Sequence, residues 1–164
     1  MKTDYLLQKI FVSFLFLSLG TFWNGPVTVV AGEKPEKPLY ECLGGIYVIS
    51  SIVDSFIELL VVNDVLNANP EIREARDPKA KAGLKFQITR QLCEGTGGPC
   101  KYTGKTMRES HAYLKITEME WEAMLSDLQR VLNNHLVPAR EQKELIGIVE
   151  NTKKDIVTTE AEMK

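Results

Sequence analysis

The sequence predicts an all-α fold. Apolar residues recur at spacings of three and four through most of the chain after residue 39, the period of helices with one buried face. A Thr117-x-x-Glu120 pair precedes the strongest of these runs, in the manner of a helix capping box. Nothing in the chain reads as a sheet. With 164 residues there is enough chain for one domain with a real core. The balance of 44% hydrophobic and 26% charged residues fits a soluble globular protein. A net charge of −2, with basic residues spread rather than clustered, argues against a nucleic-acid footprint.

The N-terminal segment has a separate character. Lys2 and Lys9 precede the apolar run Ile10–Leu19, polarity rises through Gly20, Asn24, Gly25 and Pro26, and Val29-Val30-Ala31 supplies the small and compact residues that a signal peptidase reads. Residues 1–31 are therefore expected to be a signal peptide, cleaved near Ala31, that exports the protein, to the periplasm. The alternatives are an uncleaved membrane anchor or a buried N-terminal helix, although the apolar stretch is short and interrupted for a transmembrane span. Residues 32–38, charged and broken by Pro35 and Pro38, read as a linker. The domain spans 39–158, and 159–164 form a polar tail.

Within the domain, Gly44-Gly45 allows a sharp turn or a close helix crossing. The first helix carries Ile46, Ile49, Val53, Phe56 and Leu60 on one face and ends at Asn63-Asp64 and Asn67–Pro70. After a charged stretch from Glu71 to Lys81, Asp77-Pro78 marks a bend or a fresh start. The next helix covers about 79–94, with Leu84, Ile88 and Leu92 in one stripe, and Gly95-Thr96-Gly97-Gly98-Pro99 stops it. A short helix then presents Met107, His111 and Leu114. The capped helix after Thr117 places Trp121, Met124, Leu125, Leu128, Val131, Leu132 and Leu136 on one broad face. Pro138 opens a last helix with Leu145, Ile148, Val149 and Ile156 inside.

The cysteines are Cys42, Cys93 and Cys100. No C-x-x-C-H motif is present, which excludes covalent c-type haem attachment by that motif. Cys93 and Cys100 flank a turn and could bridge in an oxidising compartment; three unpaired, partly buried thiols are the expectation favoured here. No histidine or cysteine spacing forms a zinc site, and Ser110-His111, adjacent in sequence, make poor geometry for a nucleophile and its base.

Several pieces in order, Leu39-Tyr40-Glu41-Cys42-Leu43-Gly44-Gly45-Ile46, Gly97-Gly98-Pro99, Tyr102-Thr103-Gly104, Met107, His111 and Ile116-Thr117, make the stretch from Leu39 to Val157 resemble the group I truncated haemoglobins. The resemblance implies a two-over-two helical sandwich holding haem b. It implies that His111 matches the proximal histidine that binds iron, the metal-ligating position. It implies that Met107, four residues earlier on the same face, packs on that side of the haem; plain core filling is the blander alternative for Met107, as an ordinary surface or core histidine is for His111. Phe56 and Tyr102 join the cofactor-binding set. His135 has no such context and reads as a surface residue near a helix end.

The other side of the pocket departs from the family pattern. Where the family often has a tyrosine beside a phenylalanine, this chain aligns Ile57. The positions over the iron fall at Leu84 and Ile88, where a glutamine or another polar residue is common, while Gln87 and Gln91 point elsewhere in an ungapped alignment. A phenylalanine is expected where the chain has Asn69-Pro70. An apolar pocket of Ile57, Leu84 and Ile88 withdraws hydrogen bonds from bound dioxygen, worth roughly 1–3 kcal/mol per charge-assisted bond, and predicts fast oxygen loss.

The resemblance thus implies reversible binding of oxygen or another diatomic gas, carbon monoxide or nitric oxide, at a histidine-ligated iron, a role in oxygen binding or transport. Nitric oxide detoxification with a reductase partner, or a haem-based redox or sensing module, is the first alternative. A haem-free helical interaction domain is the second, against which the presence of His111 and Met107 counts.

Overall fold

The computed structural model describes residues 37–158. The expected signal peptide or anchor, nearly all of the linker and the 159–164 tail lie outside the described residues. Among the described residues the chain is helical, with one isolated parallel bridge between Ile116 and Val157 and no strand.

Three long helices form the frame: α2 (Gly45–Val62), α5 (Lys81–Gly95) and α7 (Glu118–Asn134). A short α1 (Leu39–Cys42) precedes them, α3 (Asp64–Ala68) and α4 (Pro70–Ala75) join α2 to α5, α6 (Met107–His111) lies between α5 and α7, and α8 (Ala139–Glu150) and α9 (Lys153–Ile156) close the chain. Helix α2 packs against both α5 and α7, α7 packs against α8, and α6 lies against α9. The core gathers Ile49, Ile52, Val53 and Ile57 of α2, Leu128, Val131 and Leu132 of α7, and Leu145 of α8, each no more than 3% exposed.

Local chemistry explains the boundaries. The Thr117–Glu120 capping box forms as expected, with the Thr117 N–H and hydroxyl both donating to Glu120 Oε2 at 2.7 Å. A second capping box, Thr106 with Glu109, opens α6. Asn63 and Asn69, expected simply to end α2, instead cap α3 and α4: each side-chain oxygen accepts two backbone N–H groups, and Pro70 takes the first turn of α4. Asn63 also donates to the buried Asp127 at 2.7 Å, tying this corner to α7.

Four expectations need correction. The stripe residue Leu136 is outside α7, 86% exposed with φ of +54°, because the helix ends at Asn134 and the chain turns back. Leu114 is likewise beyond the end of α6. The last helix is two, α8 and α9, broken at Asn151-Thr152, so Ile156 belongs to a separate turn. And Cys93 and Cys100 are not free thiols: they form a disulfide with Cα atoms 5.7 Å apart, inside the range a bridge requires. Cys42 remains free and exposed.

The bridge joins the last turn of α5 to the following loop over a sequence separation of seven. In the chain-entropy view, closing so short a loop contributes about 2–3 kcal/mol. The Cys93→Ser/Cys100→Ser chain is therefore expected to melt on the order of 10 °C below the parent in a thermal scan followed by circular dichroism. An unchanged midpoint would mean that the loop is equally ordered without its staple.

Candidate functional site

A cavity of about 800 Å³ lies among α2, α5, α6 and α7, within the roughly 300–1,000 Å³ typical of small-molecule and cofactor sites. It accounts for the composition of α2, which is apolar on more than one side: Ile49 packs into the core, Ile52, Val53 and Ile57 belong to the core and also line the cavity, and Phe56, Leu60 and Val61 complete this wall. Trp121, Met124 and Leu128 of α7 and Ile148 and Val149 of α8 extend the apolar lining.

The structure brings Phe56, Ile57, Leu84, Ile88, Tyr102, Met107 and His111 to this one cavity. Leu84 is half-exposed at its rim, 50% accessible, whereas Ile57 is 3% exposed and deep. Sequence reasoning missed two residues here. Gln87 and Gln91 do not point elsewhere; both line the same cavity as Leu84 and Ile88. The signal was available, since positions 84, 87, 88 and 91 follow the i, i+3, i+4, i+7 spacing of a single helix face. The ungapped alignment, which put Leu84 and Ile88 over the iron, set them aside.

His111 ends α6. Its Nδ1 is 2.8 Å from the Met107 carbonyl oxygen. A carbonyl can only accept, so Nδ1 is the donor, and in the neutral ring Nε2 is then the nitrogen with the lone pair, the arrangement of a metal-ligating imidazole oriented by a backbone partner. Among the described residues no group of three His, Cys, Asp or Glu side chains forms a metal site. His135 lies elsewhere: half-buried at the end of α7, it pairs through Nε2 with the Ser55 hydroxyl at 2.9 Å and pins α7 to α2.

Two buried polar atoms on cavity-lining residues, Gln87 Oε1 and Trp121 Nε1, have no hydrogen-bond partner. Such atoms are costly to leave unsatisfied, and they mark this wall as one that packing alone does not complete. Gln91 turns its amide toward Met107 Sδ at 3.3 Å, linking the α5 wall to α6.

Charge sits on the α2–α5 side. Arg76 lines the cavity and donates to the carbonyl oxygens of Leu60 at 2.6 Å and Val61 at 2.9 Å and to the Asn67 side chain. All three acceptors are neutral, and burial pulls its guanidinium below the ordinary arginine range. On the same side Lys85 and the cavity-lining Lys81 of α5 grip Glu58 of α2 at 2.6 and 2.9 Å, and their hydrogen bonds, Lys85 foremost, hold the Glu58 carboxyl down at about 2.

A family model described as bacterial-like globin matches residues 38–158. Among solved structures, the chain is similar to the truncated haemoglobin of Tetrahymena pyriformis in its Fe(III) form, at 24% identity and a TM-score of 0.67, covering 75% of this chain and all of that one. It is similar to the group II truncated haemoglobin of Bacillus anthracis at 22% identity and a TM-score of 0.62, covering 77% and 95%. It is also similar to a haemoglobin of the thermophilic phototroph Chloroflexus aurantiacus at 24% identity and a TM-score of 0.61, covering 76% and 100%. At these identities the likeness concerns the fold, and a group II protein among the matches leaves the subgroup open. No curated protein matches the chain.

Proposed function

This chain belongs to the bacterial-like globin family, and on that premise we propose that its cavity holds haem b and that its function is reversible binding of a diatomic gas, oxygen foremost. The observation that carries this reading is His111: a cavity-lining imidazole whose Nδ1 is engaged by the Met107 carbonyl and whose Nε2 is left for a metal. Bound there, haem would supply an iron able to take a diatomic gas, with His111 as the residue that would hold it.

The residues divide the remaining work. Met107, Phe56 and Ile57 provide apolar packing for a flat macrocycle. Arg76, a cavity-lining cation whose acceptors are all neutral, is suited to one of the haem carboxylates, since a partly buried charge gains most from an ionic partner. On α5, Leu84 and Ile88 exclude water, while Gln87 and Gln91 offer amide donors on the same face. An amide donating to a polarised ligand would retain oxygen longer than the wholly apolar pocket expected from sequence, by roughly 1–3 kcal/mol for a charge-assisted bond.

Two finer assignments belong to the same proposal. The Gly97-Gly98-Pro99 and Tyr102-Thr103-Gly104 pieces support a place in group I of the truncated haemoglobins. The Cys93–Cys100 disulfide, a bond characteristic of oxidising compartments, joins the signal-like residues 1–31 in supporting export.

The deciding measurement is the absorption spectrum of the purified protein, supplied with haem, reduced, and exposed to carbon monoxide and then oxygen. A Soret band that shifts with each gas is the expected result. No Soret band after haem addition would overturn the proposal and leave a globin-like helical domain without its cofactor.

A further inference from the structure

We propose that the Cys93–Cys100 disulfide is a positioning element for His111, setting how the imidazole is presented to the cavity and hence how fast a gas ligand binds and leaves. The inference rests on the haem reading above and extends it to residues outside the cavity.

The connection between the two cavity walls carries the argument. Helix α5 supplies one wall, and α6, with His111 at its end, supplies another. Between them residues 96–106 form neither helix nor strand. Helix α6 is five residues long, too short to hold itself in place. Its side-chain ties to the rest of the fold are the Gln91–Met107 contact and, where it lies against α9, an exposed Arg108–Asp155 ion pair at 2.9 Å, a class of pair that contributes little; the chain just beyond it is held by the Asn69–Leu114 hydrogen bond at 3.0 Å and the Ile116–Val157 bridge. Its C-terminal end is thus tied through residues 114–116, and its N-terminal end is set by the loop before it.

That loop is fastened to α5 mainly by the bridge. Cys93 is fully buried in the last turn of α5. Gly98 folds back so that its N–H donates to the Cys93 carbonyl at 2.7 Å. Beyond Gly98, the hydrogen bonds from residues 99–106 to α5 all converge, among the described residues, on one side chain: Glu94 accepts from the Tyr102 N–H at 2.9 Å and pairs with Lys101 at 3.2 Å. Glu94 and Lys101 are both substantially exposed, Lys101 at 82%. The covalent link at Cys100 thus fixes the loop two residues before the cavity-lining Tyr102, where the non-covalent alternative is a single surface carboxylate. Groups that orient a metal-binding histidine from outside the ligand set alter the metal's chemistry, and here that orientation passes through the bridge.

The test uses the full haem-loaded chain in three forms: bridge intact, bridge reduced, and Cys93→Ser/Cys100→Ser. Reduction by a dithiol transfers two electrons and two protons to the bridge, giving two protein thiols and a cyclic disulfide of the reagent; thiol titration establishes the state of each sample. Two readouts report on His111 rather than on stability: the iron–histidine stretching band in resonance Raman spectra of the reduced, gas-free protein, and the carbon monoxide association and dissociation rates. We expect the band to move and the rates to change several-fold when the bridge opens, identically on reduction and in the double variant, with reversal on reoxidation of the parent. Cys42→Ser, which removes only the free exposed thiol, is expected to change neither. An unmoved band and unchanged rates with the bridge open would overturn the inference and leave the disulfide a stabilising staple alone. If the double variant does not fold, the reduced parent decides the matter. Absence of a Soret band in the intact form would instead sink the haem reading, and this inference with it.

Discussion

The His111→Gly chain is expected to lose the haem spectrum of the parent, and added imidazole is expected to restore it. The His111 ring is oriented by the Nδ1–Met107 hydrogen bond, so removing it removes both the proposed iron ligand and the contact that orients it. The other histidine, His135, is engaged with Ser55 rather than lining the cavity. Haem affinity should fall by about 100-fold or more. Glycine is chosen over alanine because it leaves room for free imidazole. The helix itself survives the change: its capping box is at the opposite end, Thr106 with Glu109, so far-ultraviolet circular dichroism should be nearly unchanged. A variant that keeps the parent's Soret band and its carbon monoxide shift would show that another residue binds the iron.

How much of this was legible in the sequence depends on what each signal encodes. The capping box at Thr117 and the apolar face of α7 were legible because a helix start needs a particular hydrogen-bonding pair and a buried face needs a period. The positions of α2, α5 and α6 followed from the same reasoning to within a few residues. The short helices α3 and α4 were not seen, although Asn63 and Asn69-Pro70 are good starting residues; an asparagine after an apolar run reads equally as an end or as a beginning, and tertiary contact with Asp127 and with the Leu114 carbonyl decides. At the site, residues on the cavity could be reached through resemblance and spacing, but which of Leu84, Gln87, Ile88 and Gln91 stand on the same wall could not be read from hydrophobicity, because a cavity wall, unlike a core, tolerates amides. The disulfide turned on a distance: seven residues of separation permit a bridge or two thiols, and only the fold of Gly97-Gly98 brings the Cα atoms within bonding range.

That same fold leaves Gly98 no room for a methyl group. A Cβ there would lie 2.5 Å from Tyr40 Cδ2, 2.7 Å from the Cys93 carbonyl oxygen and 2.8 Å from Cys93 Sγ. None of these can yield cheaply. The carbonyl is backbone and accepts the Gly98 N–H itself; the sulfur is locked in the bridge; and the Tyr40 hydroxyl accepts the Ile46 N–H at 3.2 Å, holding the start of α2. Gly98→Ala must therefore shift the loop, α1 or both, and overpacking of this kind costs about 3 kcal/mol, on the order of 10 °C in melting temperature for a domain of this size. Gly83→Ala is the matched comparison. Gly83 lies inside α5, and a Cβ there meets nothing within 4 Å, so the change should stabilise the protein by about 0.5–1 kcal/mol through helix propensity alone. Thermal melts of the two variants should thus move in opposite directions from the parent. Because the loop leads to His111, Gly98→Ala should also weaken haem retention while Gly83→Ala leaves it alone. A Gly98→Ala protein that melts with the parent would show that the Gly98 turn opens without cost, and would remove the close approach from the account of how α6 is placed.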